Sequence, residues 1–325
     1  MRIFITGSNG FVGSRLMWRL SELGHTVRGI DRSTHCMIDP HPATVKGDIC
    51  YPESYAPFGD ETFDLLIHCA ASKHDFGITR EEYYRDNEEG TRALMQWAAG
   101  RVQRVIYYST VSVYGHQPHP CDETSPYKPN TLYGASKLAG EVEIRQWWEK
   151  DRTRQVVFLR PTIIYGPHNY ANMYNLIDMM HRRPWVTIGD GSQVKSMVSL
   201  ANLTDMTEHA ITLLRPGVQA FNCIDTPYIT VHQLMLLIAA QPGFRMPRFT
   251  IPLRWAVAVG RVFDVLGKVT GRDFPVNSDR MRKLATATDY RVDKLAATGY
   301  VQRHAIADEI ARTCRWYLEH KKGKG

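Results

Sequence analysis

The chain has no stretch of 18 uncharged apolar residues, so no membrane span is expected. It has no secretory leader pattern either. Met1-Arg2-Ile3-Phe4-Ile5-Thr6-Gly7 is too short an apolar run and enters a glycine turn at once. Cysteine is sparse: Cys36, Cys50, Cys69, Cys121, Cys223 and Cys314, with irregular spacing and no C-x-x-C. That excludes a disulfide-stapled module and suits reduced thiols in the cytoplasm. His116, His119 and Cys121 lie close together in a Pro-rich stretch, but no fourth ligand follows at a zinc-site spacing. No metal is expected. No Lys/Arg run exceeds three residues or interleaves with aromatics, so no nucleic-acid partner is expected. No internal repeat is visible.

What remains is a 325-residue globular chain, 43% hydrophobic, with 40 Lys+Arg against 33 Asp+Glu and a net charge of +7. The mild basicity suits solubility; its functional alternative is a positive cleft for a phosphate-bearing ligand. The basic end at 321–324 reads as a solvated tail. The first half alternates apolar strands with helical patterns. Strands are expected at 2–6 and 26–31, and near 43–46, 64–69, 103–109 and 155–160. Helices are expected at 12–23, 80–99 and 131–150, with a final one near 304–319. This alternation predicts an α/β fold, a Rossmann-type doubly wound parallel sheet. After Pro161 the pattern turns irregular. A smaller, interleaved substrate-binding part is expected over 165–325, against a dinucleotide-binding domain over 1–164. Residues 253–270 are amphipathic with basic punctuation. They read as a helix packed on the body, with membrane-surface contact as the alternative.

Gly7-Ser8-Asn9-Gly10-Phe11-Val12-Gly13 follows a strand and opens a helix. Its glycines suit a tight turn, close backbone approach to a pyrophosphate and close helix–strand packing. The helix N-terminus offers free N–H groups and partial positive charge to the phosphates. Asp31 ends the second strand, where a carboxylate can accept from an adenosine ribose and repel a 2′-phosphate. That favours NAD over NADP, although Arg32 could grip such a phosphate. Asp48 and Ile49 follow the third strand and flank the adenine position; the plainer reading of Asp48 is a helix N-cap.

Tyr133-Gly134-Ala135-Ser136-Lys137 is a Y-x-x-x-K, which puts phenol and ammonium on one helix face. A fixed cation about 4 Å from the phenol, at an effective dielectric of ~20, is worth roughly 4 kcal/mol. That is enough to make the tyrosine a base near neutral pH. Thr110 and Ser112 follow an apolar strand whose C-terminal end faces the ligand crevice in an open α/β sheet. Thr110 could orient a carbinol oxygen and Ser112 could assist; the plainer reading of both is a turn-forming hydroxyl.

These residues resemble a known family. Thr6–Gly13, His68-Cys-Ala-Ala71, Asn87-Glu-Glu-Gly-Thr91, Ser109-Thr-Val-Ser-Val-Tyr-Gly115, Tyr133–Lys137 and Leu159-Arg-Pro-Thr-Ile-Ile-Tyr-Gly-Pro167 occur in its order and spacing. The chain is similar, over roughly residues 1–225, to the extended short-chain dehydrogenase/reductases of the NAD-dependent epimerase/dehydratase group. The resemblance implies that Gly7, Gly10 and Gly13 hold the pyrophosphate, with Asn9, Phe11 and Val12 also binding the cofactor. It places Asp31 and Arg32 on the ribose, Asp48 and Ile49 on the adenine, and Ala70, Ala71 and Pro161 along the cofactor. Tyr133 becomes the acid/base, Lys137 its cationic partner on the nicotinamide ribose, Thr110 the catalytic hydroxyl, and Asn87 a supporting residue. It also implies a homodimer, built here through helices 80–99 and 131–150.

Two departures bear on substrate. The family's 4,6-dehydratases carry an Asp-Glu pair directly after the catalytic hydroxyl; this chain has Val111-Ser112, which leaves no acid and base there to eliminate water. Ile163 stands where many sugar-nucleotide epimerases carry a phosphate-contacting Asn. Asn172 and Lys195 stand where the family often contacts the substrate phosphate, Lys195 as a point charge; their plainer reading is surface polarity. The expected activity is NAD-dependent nucleotide-sugar 4-epimerisation. The alternatives are a net reductase or dehydrogenase of a nucleotide-sugar 4-ketone or a hydroxysteroid- or flavonoid-like alcohol, and a non-catalytic cofactor-binding scaffold.

Overall fold

The computed structural model describes residues 1–73, 78–117, 120–182, 186–270 and 288–322. They form two compact units. The first takes 1–164, 197–224 and 290–303; the second takes 165–196, 225–289 and 304–325. In the first, β1 (Arg2–Thr6) runs into α1 (Phe11–Glu22), followed by β2 (Thr26–Asp31), β3 (Thr44–Lys46) and β4 (Leu65–His68). α2 (Arg80–Tyr84), a π-helical turn (Arg85–Glu89) and α3 (Gly90–Ala98) lead to β5 (Arg104–Tyr108). α4 (Leu132–Glu149), β6 (Gln155–Pro161) and β7 (Ile163–Tyr165) follow. The chain then builds α5 (Asn172–His181) and β8 (Val186–Ile188) of the second unit. It returns to the first with β9 (Met197–Ser199), α6 (Leu200–Thr212) and β10 (Gly217–Cys223). The second unit resumes with α7 (Val231–Ala239), β11 (Phe249–Ile251), α8 (Leu253–Thr270) and, after the short helix Asp293–Ala296, the C-terminal helix Ile306–Lys322.

Seven parallel strands form the main sheet, in the order β10-β6-β5-β4-β1-β2-β3. The order reverses between β1 and β4, and a doubly wound sheet opens its ligand crevice at the strand carboxyl ends there. Strands covered on both faces read as apolar runs, which is why RIFIT, LLIH and RVIYY were visible as strands. The expected strands all form, within two residues of the bounds read from the sequence. Phe4 packs against Phe58 and Trp97, each with ring centroids 4.8 Å apart, and against Phe63 at 5.1 Å. This cluster anchors the sheet under α3.

Two features differ from the sequence reading. The helix expected over 80–99 contains the π turn, where Asp86 and Asn87 turn inward and are buried. Such single wide turns are common at functional sites. The seventh strand, β10, comes from 217–223, beyond the point where the pattern became irregular. It joins by parallel pairing with β6 from Gly217↔Gln155 to Cys223↔Pro161.

In the second unit α5, α7 and the C-terminal helix pack on one another. Tyr317 sits 5.3 Å from Tyr174 and donates to Asp178 at 2.6 Å. Thr230 caps α7 in a reciprocal box with Gln233. Residues 253–270 form α8 as a helix. None of the six cysteines forms a disulfide. Among the described residues no helix is long and apolar enough to cross a membrane. His119 lies outside the described residues, and among those described no group of three or more His, Cys, Asp or Glu is placed to hold a metal ion.

Candidate active site

Every residue that the sequence assigns to the dinucleotide lines one cleft of about 390 Å³ in the first unit. Its floor is the turn between β1 and α1. A Cβ on Gly13 would meet the Gly7 carbonyl oxygen at 2.0 Å, so only glycine lets α1 begin this close to the strand. Gly10 occupies the N-cap with no capping side chain, and no acidic residue stands in the first turn of α1. The first amides of a helix have no partner within it, and here their positive end is open to an anion. These features fit a dinucleotide pyrophosphate. Gly13→Ala is expected to lower retained NAD at least tenfold relative to the parent chain, measured as nicotinamide released on denaturation. Unchanged content would remove this turn from the cofactor site.

At the end of β2 the Asp31 carboxylate accepts from the Asn9 N–H at 2.9 Å and the Ser33 N–H at 2.8 Å. It is thereby fixed on the cleft wall. Arg32 also lines the cleft, but its guanidinium donates to Asp86 at 2.6 Å and Ser72 at 3.1 Å. Burial opposes ionisation of Asp86, yet hydrogen bonds from Ser72, Arg85 and Arg32 together hold its carboxyl below the usual range. The arginine read as a grip for a 2′-phosphate is thus engaged by a carboxylate of the π turn. Asp48 is not a helix N-cap: Tyr51 takes that place before Pro52–Phe58, and Asp48 instead accepts from the Cys50 N–H at 3.0 Å. Ile49 is buried beside it, and its carbonyl accepts from Tyr55.

A polar chain that sequence reasoning missed ties the strand ends together. His68 is fully buried; its Nδ1 lies 2.7 Å from Thr6 Oγ1 and its Nε2 lies 3.0 Å from Thr91 Oγ1. Thr91 gives its own proton to the Asn87 carbonyl, so His68 must donate from Nε2 and accept at Nδ1. Burial, reinforced by Lys137, pushes its pKa well below the ordinary value and keeps it neutral. Asn87 carries the connection onward. Its amide donates to the Ser72 carbonyl at 3.0 Å and to Ser136 at 2.9 Å, and its oxygen accepts from the Ser72 N–H at 2.9 Å. The π turn therefore clasps the segment after β4 to the helix that carries Tyr133 and Lys137.

Thr131 caps α4 by accepting from the Gly134 N–H, which sets Tyr133 and Lys137 one turn apart. A Cβ on Gly134 would lie 2.5 Å from the Ser112 carbonyl oxygen, so the start of α4 rests directly on the 110–112 turn. Thr110 caps that turn: its hydroxyl accepts from the Ser112 N–H and donates to Ser112 Oγ, both at 3.2 Å. Tyr133 and Lys137 line the cleft together with Ser109; Thr110 and Ser112 are not among its lining residues. Thr110 directly follows the lining residue Ser109, and the Ser112 carbonyl rests against Gly134.

Lys137 is almost wholly buried, with its ammonium over the Tyr107 ring, 4.0 Å from the centroid. Burial lowers its pKa to about 7, against the opposing pull of Cys69 and Glu141. The sequence reading treats this lysine as a fixed cation; the fold makes its charge expensive until a ligand supplies partners. The unfolded group keeps its ordinary 10.5. Between about 7 and 10.5 the unfolded chain therefore holds a proton that the folded chain releases, and the stability contribution rises with pH. Below about 7 the burial penalty is fully present. In cofactor-free protein, Lys137→Met should exceed the parent in stability near pH 7. That advantage should shrink by roughly 1 kcal/mol per pH unit toward pH 10, as read from denaturant unfolding. A flat difference would contradict this account of the charge.

The candidate substrate residues Asn172 and Lys195 belong to the second unit. Asn172 is the exposed first residue of α5. Lys195 is half-buried, its backbone bridging Thr288, and burial lowers its pKa. In the first unit, a charged network also escaped the sequence reading. Arg160 on β6 and Glu141 on α4, both fully buried, form a two-pronged ion pair at 2.8 and 2.6 Å. An arginine inside the otherwise apolar strand QVVFLRP was its one visible signal.

Comparison with known proteins agrees with this geometry. The family described as "NAD dependent epimerase/dehydratase" matches residues 3–223. N-acetyl-α-D-glucosaminyl-diphospho-ditrans,octacis-undecaprenol 4-epimerase of Escherichia coli O157:H7 is 27% identical over 325 residues, covering 98% of this chain and 96% of its own. Human dTDP-D-glucose 4,6-dehydratase is 30% identical over 235 residues, 66% of each chain. The solved structure of UDP-glucuronic acid 4-epimerase from Bacillus cereus, in complex with UDP-glucuronic acid and NAD, superposes with a TM-score of 0.75. It covers 98% of this chain and 100% of that one at 20% identity.

Proposed function

Because the chain belongs to the NAD dependent epimerase/dehydratase family, we propose that it is an NAD-dependent 4-epimerase of a nucleotide sugar. One observation carries the reading: Tyr133 and Lys137, one turn apart on α4, line the same cleft as the glycine cradle. Bound there, NAD supplies the hydride acceptor at the sugar carbinol and, once reduced, the donor that restores it. Tyr133 takes the hydroxyl proton as the carbonyl forms and returns it when the opposite face is reduced. Thr110, at the edge of the cleft, orients the reacting oxygen. Lys137, screened from water, holds the nicotinamide ribose and supports the phenolate by its charge. Asp31 takes the adenosine ribose, and the engagement of Arg32 by Asp86 supports NAD over NADP.

Elimination of water is disfavoured, because Val111 and Ser112 stand where an acid and base would be needed, and Val111 is buried. Asn172 and Lys195 are the candidate contacts to the substrate diphosphate, and the helices around 80–98 and 132–149 the candidate dimer contact. A second reading, a sugar diphosphate borne on a polyprenol, is favoured by the undecaprenol-linked relative, which matches 98% of the chain.

The test incubates purified protein with UDP-hexoses, UDP-N-acetylhexosamines, UDP-glucuronic acid and a polyprenyl-diphospho-N-acetylhexosamine. A 4-epimer appearing without net change in NADH supports the proposal. Stoichiometric NADH accumulation or consumption would make it a net oxidoreductase. No turnover of any of them would return the scaffold reading to first place.

A further inference from the structure

Four of the fifteen large hydrophobic residues exposed among the described residues fall within eleven positions of the second unit. Phe249 is 62% exposed, Ile251 38%, Trp255 60% and Val259 51%. Phe249 and Ile251 are two apart on β11, a strand whose three residues are all exposed, so they share a face. Trp255 and Val259 are four apart on α8 and share a face in the same way. Pro252 alone joins the two elements, and its carbonyl accepts from the Trp255 N–H at 3.0 Å. Ala256 and Gly260, small residues one step round the helix, are buried. The bulky side chains are thus left outward by the packing of α8, not by want of a buried face.

Along this stretch of chain the charge has one sign. From Thr226 to Phe263 the sequence has no Asp or Glu and four arginines, Arg245, Arg248, Arg254 and Arg261. All four are exposed. Arg254 lies 6.0 Å from the Trp255 ring centroid, so an apolar ring and a guanidinium share one patch. A protein partner of ordinary composition would need a matching acidic rim. A bilayer with anionic headgroups offers both parts at once: phosphate for the arginines and an apolar layer beneath for Trp and Phe.

We infer that β11 and the first half of α8 form a peripheral docking face for an anionic membrane surface. This goes beyond the epimerase reading and is independent of it, since the face would hold the protein to a bilayer whatever carries the sugar. Near such a surface each arginine is worth on the order of fivefold in partitioning. Scattered exposed apolar residues need no explanation, but a clustered set with a basic rim does.

The test is sedimentation of the full-length protein with vesicles of phosphatidylcholine alone and of phosphatidylcholine with phosphatidylglycerol. Binding is expected to the anionic vesicles, weakening with salt. Arg254→Ala with Arg261→Ala should weaken it about 25-fold, and Trp255→Glu with Val259→Glu should abolish it. Circular dichroism and NAD content of these variants should match the parent, which separates loss of docking from loss of fold. Three results would overturn the inference: no binding to anionic vesicles, binding undiminished in both variants, or a shift of the Trp255/Val259 variant to a smaller oligomer in light scattering without any vesicle binding by the parent. The last would assign the face to a second copy of the chain. Because vesicle binding is read without substrate, its failure leaves the epimerase test untouched, and the reverse holds as well.

Discussion

Tyr133→Phe is expected to lower turnover about 10³-fold while the protein keeps its full content of NAD. The change removes one oxygen and leaves the ring, which is half-buried and packs 6.4 Å from Tyr83, so the start of α4 should not move. General acid–base groups contribute ~10²–10⁴ to rate, and no other titratable side chain of the described cleft sits one helical turn from Lys137. The loss should appear in kcat with little change in KM, because a proton in flight belongs to the transition state and not to substrate binding. Cofactor content separates two roles for the phenol. A variant that loses NAD along with activity would make Tyr133 a cofactor ligand first. A variant that retains more than about a tenth of the parent rate would hand the proton transfer to another group, and the acid/base assignment would fail.

The parts of this molecule that were legible in the sequence are those whose cause is local. β1, β4 and β5 are buried on both faces, and the apolar runs that burial demands are visible without knowledge of their neighbours. The glycine cradle is local for the same reason: strand, turn and helix follow within thirteen residues. So is Tyr-x-x-x-Lys, since four residues of helix suffice to align the two side chains. β10 was not legible. It is an edge strand paired on one side with β6, and Gln219 and Asn222 interrupt its apolar pattern. Asn222 is polar because the fold uses it: its side chain accepts from Tyr114, 108 residues earlier. The engagement of Arg32 by Asp86 spans 54 residues, and the sequence could offer Arg32 only as a ribose contact or a grip for a 2′-phosphate. The burial of Lys137 was hidden for a related reason. Its spacing from Tyr133 is a matter of helix geometry, but its burial depends on β5 and the segment after β4.

Glu141→Ala is expected to destabilise the first unit by about 3–5 kcal/mol. Glu141 accepts two hydrogen bonds from Arg160 and one from Ser109 at 2.6 Å, and neither charged side chain reaches water. Arg160 also donates to Tyr114 at 2.8 Å and Tyr127 at 2.7 Å, and Tyr114 passes the connection to Asn222 on β10. One network therefore links β6, the segment after β5, α4 and the edge strand. Removing the carboxylate leaves a guanidinium buried without its counter-charge, which is the costly half of breaking a buried pair. Arg160→Met leaves a buried carboxylate that keeps the Ser109 hydrogen bond and Arg145 at 3.9 Å, and should cost less. The double variant Glu141→Leu with Arg160→Met should lose less than the sum of the two single changes, because it leaves no unpaired charge. Denaturant unfolding of the three variants measures the coupling. Additive losses would mean that the pair does not act as a unit. Ser109 lines the cleft beside Tyr133 and Lys137, so the same network reaches the chemistry. A variant that still folds should therefore lose turnover through misplacement of the strand end, and, because the Glu141 charge opposes the downward shift of Lys137, the limb of the pH profile set by Lys137 should move to lower pH. An unmoved profile would mean that Glu141, four residues from Lys137 on the same face of α4, reaches the chemistry only through the strand end.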